Sequence, residues 1–404
     1  MADKVQTPKG FRDFLPEDAK LRALVLEKIK ATLERFGFEP LETPALEFAD
    51  TLRGKYGDEE KLIFEFSDRG GREVALRFDQ TVPLARVVAS NPDLPKPFKR
   101  YQIQNVWRAE NPQKGRFREF VQVDFDTIGA PSQLADAEIV AAAISATGDL
   151  GFKNFAMKIN DRDTFKGLPI EAIRTIDKLQ KVGEVSVIEQ LKRTGYEAAE
   201  AKSLLKRLKD SPPTKNIERL FETLKALSIE PDKYAYEPTL ARGLDYYTGL
   251  IFELEIEGYS GGSVGGGGRY DDLLGRFADK QTPATGFSFG FDRLLEAAQE
   301  ANLLPKYAPS CQVLVTVFKE EWLKESLSLA SKLRNRSVAA EISLDPSEKL
   351  DKQLRYADNK KIPYAVILGP EEIKSGTVTL KNLTTGEQTK LKENELIKKL
   401  QPSL

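Results

Sequence analysis

The sequence contains no histidine in 404 residues. This absence excludes Ser-His-Asp triads, HExxH zinc sites and every mechanism that needs an imidazole as general base. Catalytic chemistry in this chain must therefore use carboxylates, arginines, lysines, tyrosines and backbone dipoles. Because imidazole is the side chain that ordinarily titrates near neutral pH, we also expect a site without a neutral-pH acid or base.

Cysteine is almost absent as well, since Cys311 is the single one. One cysteine forms neither a disulfide framework nor a CxxC metal motif, so a reducing, cytoplasmic location is expected. No apolar run is long enough to cross a bilayer. The first ten residues, MADKVQTPKG, also lack the apolar core of a signal peptide, so we expect no contact with a membrane.

The chain has no marked excess of either charge, with 61 Lys and Arg against 62 Asp and Glu. Overall charge therefore gives no indication of nucleic-acid binding. From Pro309 to Leu404, however, 16 basic residues face 13 acidic ones, a local net charge of +3. This mild excess is compatible with a bound nucleic acid and equally with an ordinary solvated surface.

The pattern of apolar residues divides the chain into segments of different type. Residues 1–164 and 233–303 contain most of the predicted strands, whereas residues 165–232 are rich in Lys, Glu and Leu at helical spacing. Residues 304–310, LPKYAPS, predict a linker. Residues 311–404 alternate between strand and helix patterns, which predicts a separate small α/β domain.

Two stretches place polar side chains on predicted strands. LRFDQT puts Asp79 and Thr81 two residues apart, on one face if the stretch is a strand. A carboxylate beside a hydroxyl suits an ammonium group, and the alternative is an N-cap for the next helix. VWRAENPQKGRFREFVQVDFD predicts two strands around a basic loop, with a surface hairpin as the alternative. Arg108 and Glu110 share a face at the end of the first strand, and Gln122, Asp124 and Asp126 share a face of the second.

Two further stretches combine arginine with glycine and aromatic residues. LARGLDYYTG, predicted as a strand, contains Arg242, Tyr246 and Tyr247. Four consecutive glycines, Gly265–Gly268, follow it and permit either close approach of backbone to a ligand or a flexible linker. In GFSFGFDRLL, Arg293 opposes the dipole in the first turn of a predicted helix, which suggests that it pairs with an anionic ligand, with a surface arginine as the alternative.

Together these motifs resemble the histidyl-tRNA synthetases, a family of class II aminoacyl-tRNA synthetases. ETPALE, with Pro44, is similar to class motif 1, the hairpin at Arg108 to motif 2 and GFSFGFDRLL to motif 3. LARGLDYYTG and GGGGRYDDLLGRF resemble the two histidine-specific signatures. The resemblance covers nearly the whole chain. It implies an α+β catalytic domain with an antiparallel sheet, a helical insertion and a C-terminal α/β anticodon-binding domain.

The resemblance implies that L-histidine and ATP form histidyl-adenylate and that the histidine is then esterified to tRNA(His). It also implies Mg²⁺ with the ATP, and a homodimer. The domain bounds expected from it are 1–164 and 233–303 for the catalytic domain, 165–232 for the insertion, 304–310 for the linker and 311–404 for the anticodon-binding domain.

The resemblance also implies roles for individual residues. The catalytic groups, which hold the α-phosphate, are Arg108 and Arg242. The histidine contacts are Asp79 and Thr81 at the ammonium, Gln122 on the carboxylate side, and Asp126, Tyr246 and Tyr247 around the imidazole. The ATP contacts are Arg108, Glu110, Arg116 and Arg293, with Glu110 also a candidate magnesium contact. Gln113 is placed for the tRNA acceptor end, and no protein group is assigned as a metal ligand.

The sequence differs from the common bacterial pattern at two of these positions. Bacterial members frequently have arginine at the position of Asn111 and glutamate at that of Asp126. At both positions this sequence is closer to eukaryotic or archaeal relatives.

Two other functions are possible beside that of the synthetase. One is a regulatory paralogue that binds histidine and activates the first enzyme of histidine biosynthesis, and the other is an RNA-binding or sensor protein on the same fold.

Overall fold

The computed structural model describes residues 5–112, 115–242, 246–277 and 281–401, without the side chains of residues 57, 58 and 181. The chain forms two compact units, Met1–Pro305 and Lys306–Leu404. Gln113, expected at the tRNA acceptor end, lies outside the described residues.

The first unit contains both a large sheet and most of the helices. Its helices are α1 Pro16–Arg35, α2 Ala49–Leu52, α3 Thr81–Ser90, α4 Leu134–Asp149, α5 Ile170–Ile176, α6 Leu179–Arg193, α7 Ala198–Lys209, α8 Lys215–Ala226 and α9 Phe291–Glu300. Its strands are β1 Glu39–Pro40, β2 Leu46–Phe48, β3 Glu65–Ser67, β4 Glu73–Leu76, β5 Phe98–Trp107, β6 Glu119–Ile128, β7 Phe155–Asp161, β8 Tyr234–Tyr236, β9 Leu250–Ile256, β10 Gly265–Arg269 and β11 Ala284–Gly290.

The large sheet has the order β1-β5-β6-β11-β10-β9-β7-β8 and is antiparallel from β5 to β7. Side chains alternate between its two faces. One face carries buried apolar residues, among them Phe125, Phe252 and Phe289. Helices α1, α4 and α9 cover this face in one continuous core. The opposite face is polar, and the functional side chains lie on it.

Helix α1 shows how local sequence sets up this cover. It begins with Pro16 in the first turn, followed by Glu17 and Asp18, as the sequence predicts. Its buried apolar residues recur at helical spacing as Val25, Ile29 and Leu33. These residues pack in the same core as the apolar face of the sheet.

The predicted helical segment after residue 165 contains α5, α6, α7 and α8. Helices α5 to α7 share a small core that also includes Ala241, the neighbour of Arg242. Helix α8 instead packs with α4 and β7 in the main core. None of the helices in the described part of the chain combines the length and apolarity needed to cross a membrane.

The second unit is a small α/β fold, as its alternating pattern predicts. Its strands are β12 Val313–Val315, β13 Ala340–Ile342, β14 Tyr364–Ile367, β15 Thr377–Asn382 and β16 Gln388–Lys392. Its helices are α10 Leu323–Asn335, α11 Leu350–Asn359, α12 Pro370–Ser375 and α13 Glu393–Leu400. The sheet order is β13-β12-β14-β15-β16, with parallel pairing around β12 and the predicted hairpin formed by β15 and β16.

Three strand predictions are wrong, and all concern functional stretches. Arg108 and Glu110 lie beyond the end of β5, which stops at Trp107, and not on the strand itself. Asp79 and Thr81 do not lie on a strand, because β4 ends at Leu76 and Thr81 begins α3. Arg242 also lies outside any strand, with a φ of 45°, and β9 begins only at Leu250. Conversely, Gly265–Gly268 form strand β10 inside the sheet rather than a linker.

Candidate active site

The register of the sheet aligns the predicted residues of the second motif on its polar face. Asp126 stands opposite Arg100 of β5 and Gly286 of β11, and Asp124 stands opposite Ser288. Directly paired residues of antiparallel strands point to the same side. Gln122, Asp124 and Asp126 therefore share this face, as their spacing predicts.

Asp126 is held by two residues that sequence reasoning missed. Its Oδ2 lies 2.7 Å from the Arg100 guanidinium, and Tyr270 donates a hydrogen bond to its Oδ1. All three side chains are buried. A Cβ on the opposite residue, Gly286, would lie 1.8 Å from Asp126 Oδ1, so glycine is required for this placement. The carboxylate is thus fixed rigidly on the floor of the site.

Asp79 has one oxygen engaged and one free. Its Oδ1 accepts from the Tyr56 hydroxyl at 2.9 Å and from the Val82 backbone N–H at 3.1 Å. Its Oδ2 is buried, with no hydrogen-bond partner among the described residues. Burial raises the pKa of Asp79, and the Val82 and Tyr56 hydrogen bonds and the Arg108 charge oppose that rise. The contact with Val82 means that Asp79 also caps α3, the alternative considered from the sequence.

Tyr246 and Tyr247 adjoin these carboxylates. Their ring centroids are 4.8 Å apart, and Tyr246 makes an edge-on contact with Tyr270 at 5.9 Å. Burial raises the pKa of Tyr246, which also hydrogen-bonds Thr81 and senses the charge of Asp79. Burial likewise raises the pKa of Tyr247, with Arg242 opposing it. Neutral phenols therefore line one side of the site.

The Arg242 guanidinium lies against the glycine strand, beside Gly266. A Cβ on Gly266 would come within 1.5 Å of an Arg242 guanidinium nitrogen, so only glycine leaves room for it. The guanidinium carbon is 5.8 Å from the centroid of the Tyr247 ring. No carboxylate of the described residues lies within ion-pair distance of Arg242 or of Arg108.

Arg108 is held by aromatic rings and backbone instead of by a carboxylate. Its guanidinium carbon lies 4.3 Å from the centroid of Phe78 and 5.3 Å from that of Phe120. Its Nε donates to the Phe78 carbonyl at 3.2 Å. A cation fixed in this way keeps its charge available for an anion.

Two further arginines extend this positive region. Arg116 pairs with Glu110 at 3.3 Å, and Arg293 donates to the Ser263 carbonyl at 3.1 Å and to the Gly115 carbonyl at 3.4 Å. Burial lowers the pKa of Arg293, and the charges of Arg116 and Arg108 lower it further. Since these cations repel one another, the cluster is suited to a polyanion such as a triphosphate.

Asp124 contradicts the expectation that the site lacks a group titrating near neutral pH. Burial raises its pKa to about 7, with Asp126 and Asp79 adding to the rise and Arg100 and the Ser288 hydrogen bond opposing it. The expectation considered only residue types. It missed the desolvation of a carboxyl group, which shifts a pKa by several units.

The structure therefore brings together Asp79, Thr81, Tyr246, Tyr247 and Arg242 with the polar face of the sheet. Arg108, Glu110, Arg116 and Arg293 form the neighbouring positive region. Among the described residues, no group of three ligating side chains is placed to hold a metal ion. Sequence reasoning missed Tyr56, Arg100, Tyr270 and Ser288. Of these, Tyr270 lies within the quoted motif GGGGRYDDLLGRF and Ser288 within GFSFGFDRLL, so both motifs offered a signal.

An antiparallel sheet backed by helices, with a polar face bearing fixed arginines, defines a class II aminoacyl-tRNA synthetase catalytic domain. Residues 10–294 match the family model described as histidyl-tRNA synthetase, and residues 312–402 match the one described as anticodon binding domain. The chain belongs to the histidyl-tRNA synthetase family. The predicted resemblance and fold class are confirmed.

Named relatives agree with this assignment. The histidine–tRNA ligase of Cytophaga hutchinsonii is 38% identical over 452 residues, covering 98% of this chain and 100% of that protein. The histidine–tRNA ligase of Aeropyrum pernix is 39% identical over 420 residues, covering 97% and 96%. The crystal structure of histidyl-tRNA synthetase from Nostoc sp. PCC 7120 has a TM-score of 0.83 at 28% identity, covering 98% of this chain and 99% of that chain.

Proposed function

We propose that this protein attaches L-histidine to tRNA(His) with ATP, through a histidyl-adenylate. The observation that carries the proposal is a buried Asp79 oxygen in the same site as Arg108 and Arg242. Among the described residues, this oxygen has no hydrogen-bond partner and neither arginine forms an ion pair with a carboxylate. The ammonium group of an amino acid can bind the Asp79 oxygen, and the phosphates of a nucleotide can bind the two arginines. Family membership supports the choice of histidine.

The amino acid would be held from three sides. Asp79 Oδ2 and the Thr81 hydroxyl accept from the ammonium. Asp126, fixed by Arg100 and Tyr270, lies toward the imidazole, as do Tyr246 and Tyr247. Because the carboxylate and the phenols are buried, their hydrogen bonds with the imidazole act in a water-poor environment. This enclosure would select a flat, polar ring.

The first step needs positioning and charge stabilisation more than a base. An oxygen of the substrate carboxylate, already ionised, attacks the α-phosphorus, and the bond to the bridging oxygen breaks, releasing pyrophosphate. Arg108 and Arg242 would stabilise the negative charge that develops on the α-phosphate. In the second step, a ribose hydroxyl of the tRNA attacks the carbonyl, AMP leaves, and a phosphate oxygen of the adenylate can take the proton.

The remaining arginines fit the rest of ATP. Arg293 would meet the β- and γ-phosphates, with Arg116 and Glu110 beside them. Mg²⁺ would neutralise phosphate charge and be held largely by phosphate oxygens and water. Glu110 is the carboxylate suited to approach it, since its present partner Arg116 is a half-exposed residue of the motif 2 loop.

The second unit would bind the anticodon, and Gln113 the acceptor end. The family-model match over residues 312–402 supports the first role. We keep the proposed bounds 1–164, 165–232, 233–303, 304–310 and 311–404. A cytoplasmic location is proposed from the single, buried, free Cys311.

We also propose a homodimer. The small sheet β2-β4-β3 leaves three large apolar side chains on its outer face: Leu46, Phe48 and Phe66 are 44%, 59% and 46% exposed. A contiguous exposed apolar surface of this kind is typical of a protein–protein interface. Leu46 belongs to the motif 1-like segment ETPALE with Pro44, and Phe48 follows it directly. This segment contributes to dimerisation throughout the class.

The regulatory paralogue remains the alternative. Such paralogues usually lack the anticodon-binding domain and an intact arginine signature, and both are present here. Histidine-dependent exchange of pyrophosphate into ATP separates the two functions, since only adenylate formation supports it. We expect exchange with histidine and not with other amino acids, followed by charging of tRNA(His). Histidine binding without exchange would refute the synthetase function.

A further inference from the structure

The side chain of Gln122 has one half of its amide engaged and the other free. Its Nε2 donates to Ser288 Oγ at 2.9 Å. Its Oε1 is buried and has no hydrogen-bond partner among the described residues. Its backbone is anchored as well, because Gln80 Nε2 donates to the Gln122 carbonyl at 3.2 Å. The free amide oxygen therefore points to a missing N–H donor.

The direction of this amide follows from Asp124. Ser288 has one hydroxyl proton, and it donates that proton to Asp124 Oδ1. The Ser288 oxygen can then only accept, so the Gln122 amide must turn its nitrogen toward Ser288 and its oxygen away. Gln102, opposite Asp124, does not compete, since its Nε2 donates to Thr43 at 2.8 Å and to Gln104 at 2.6 Å.

We propose that Asp124 and Ser288 are positioning residues that fix the Gln122 amide oxygen toward an N–H of bound histidine. The inference rests on the proposed histidine site and revises the expected role of Gln122. An acceptor suits the substrate ammonium beside Asp79, whereas the carboxylate side of the substrate would need a donor.

Protonation of Asp124 would reverse the direction of the hydrogen bonds that connect Gln122, Ser288 and Asp124. A neutral Asp124 can donate to Ser288, which frees the Ser288 proton for the Gln122 amide oxygen. The amide would then present its NH₂ group to the ammonium, and two sets of donors would face each other. Histidine binding should therefore weaken as Asp124 becomes protonated.

The surroundings of Asp124 place this change in an accessible pH range, because burial raises its pKa to about 7. Charged and titratable groups reach Asp124 from every neighbouring element. They are Arg100 on β5, Asp126 on β6, Asp79 before α3, Arg77 after β4 and Tyr247 before β9. Only Asp124 among them hydrogen-bonds Ser288.

The test compares Ser288→Ala and Asp124→Asn with the wild type in pyrophosphate exchange, from about pH 6 to about pH 8.5. At the upper pH, Ser288→Ala should raise KM for histidine about fivefold to tenfold, as for one lost hydrogen bond. Its kcat and its KM for ATP should stay within about twofold. At the upper pH, Asp124→Asn should also raise KM for histidine. The ratio of this KM to that of the wild type should fall toward one as the pH decreases, since the wild-type residue itself loses its charge. Taking a ratio removes the titration of the substrate imidazole.

Thr285→Val is the matched control. Thr285 lies on the same strand but on the opposite face, where its hydroxyl contacts Asp136 of α4. We expect a loss of thermal stability without a change in KM for histidine. The proposal is refuted if Thr285→Val raises KM as much as Ser288→Ala, or if the Asp124→Asn ratio does not depend on pH. Unchanged KM in Ser288→Ala, with an active wild type, refutes the positioning role alone. A wild type without histidine-dependent exchange overturns the proposed function as well.

Discussion

Gly266 offers a direct test of how Arg242 is placed. A Cβ at this position would lie 1.5 Å from an Arg242 guanidinium nitrogen, whereas ordinary contacts of a Cβ begin at 3.4 Å. The Gly266→Ala variant must therefore displace the guanidinium by about 2 Å, because β10 is paired on both sides and cannot retreat. An arginine displaced by this distance no longer meets the developing charge on the α-phosphate.

The expected effect can be stated from the chemistry. Loss of one preorganised donor to a transition-state oxyanion costs about 10²- to 10³-fold in kcat, or about 2.7–4 kcal/mol. Gly266→Ala and Arg242→Ala should each lose this amount in histidine-dependent pyrophosphate exchange, with histidine binding retained. Because both act through one guanidinium, the double variant should be no worse than Arg242→Ala alone.

Gly249→Ala is the matched control for this experiment. Gly249 lies just before β9, and a Cβ there makes only ordinary contact, at 3.4 Å, with the Arg269 side chain. Its exchange rate should remain near that of the wild type. Multiplicative losses in the double variant would show that Gly266 acts other than through Arg242. Near-normal exchange in Gly266→Ala would refute the placement of the guanidinium.

Three other predictions follow from the rest of the structure. Deleting residues 306–404 should spare pyrophosphate exchange more than tRNA charging, and equal loss in a folded, dimeric variant would contradict separate roles. Phe48→Asp should give a monomer in light scattering, whereas Leu227→Asp, at another exposed apolar position on the surface, should not; a dimeric Phe48→Asp would contradict the proposed interface. Asp124→Asn should be more stable than the wild type at pH 8, by at most about 4 kcal/mol, since a pKa raised from 3.8 to about 7 penalises the folded state by about 1.4 kcal/mol per unit. Thermal unfolding should show this advantage growing from about pH 4 to about pH 7 and constant above it; an advantage that shrinks as pH rises would contradict the burial of the charge.

Local sequence patterns predicted the elements that depend on short-range physics. The helix beginning at Pro16, the two strands around the motif 2 loop, the second of which carries Asp126, and the alternation after residue 311 all match the structure. Arg108 lies just beyond the end of the first of these strands, at Trp107. Each has a periodic apolar pattern or a recognised start signal within about fifteen residues. The strand predictions failed where the chain changes direction around the site. Arg242 adopts a positive φ, and Asp79 lies in a turn, and neither conformation has a periodic pattern.

The residues that sequence reasoning missed owe their roles to strand register. Ser288 is separated by 164 residues from Asp124, and Tyr270 by 144 from Asp126. Each pair meets because β11 lies beside β6, and because Tyr270 directly follows β10 and its N–H donates to Ala284 of β11. Arg100 is a similar case, since nothing near it in sequence shows that it will stand opposite Asp126 in full burial. Contacts of this kind cannot be inferred from one segment, because a shift of register by one residue would move each side chain to the other face.

The same reasoning explains why a chain without histidine still contains a group that titrates near neutral pH. The types of residue in a site determine their reference pKa values, but burial can shift the pKa of an individual group far from its reference value. Asp124 is placed between β5 and β11, with one hydrogen-bond donor from Ser288 and with Asp126 and Asp79 nearby. Of these neighbours, only Asp126 is close to Asp124 in sequence, whereas Ser288 and Asp79 are distant from it. If Ser288 alone sets the direction of the Gln122 amide, the ionisation of Asp124 and the recognition of histidine are one linked equilibrium. A site that binds an imidazole would then supply its own titrating group from a desolvated carboxyl.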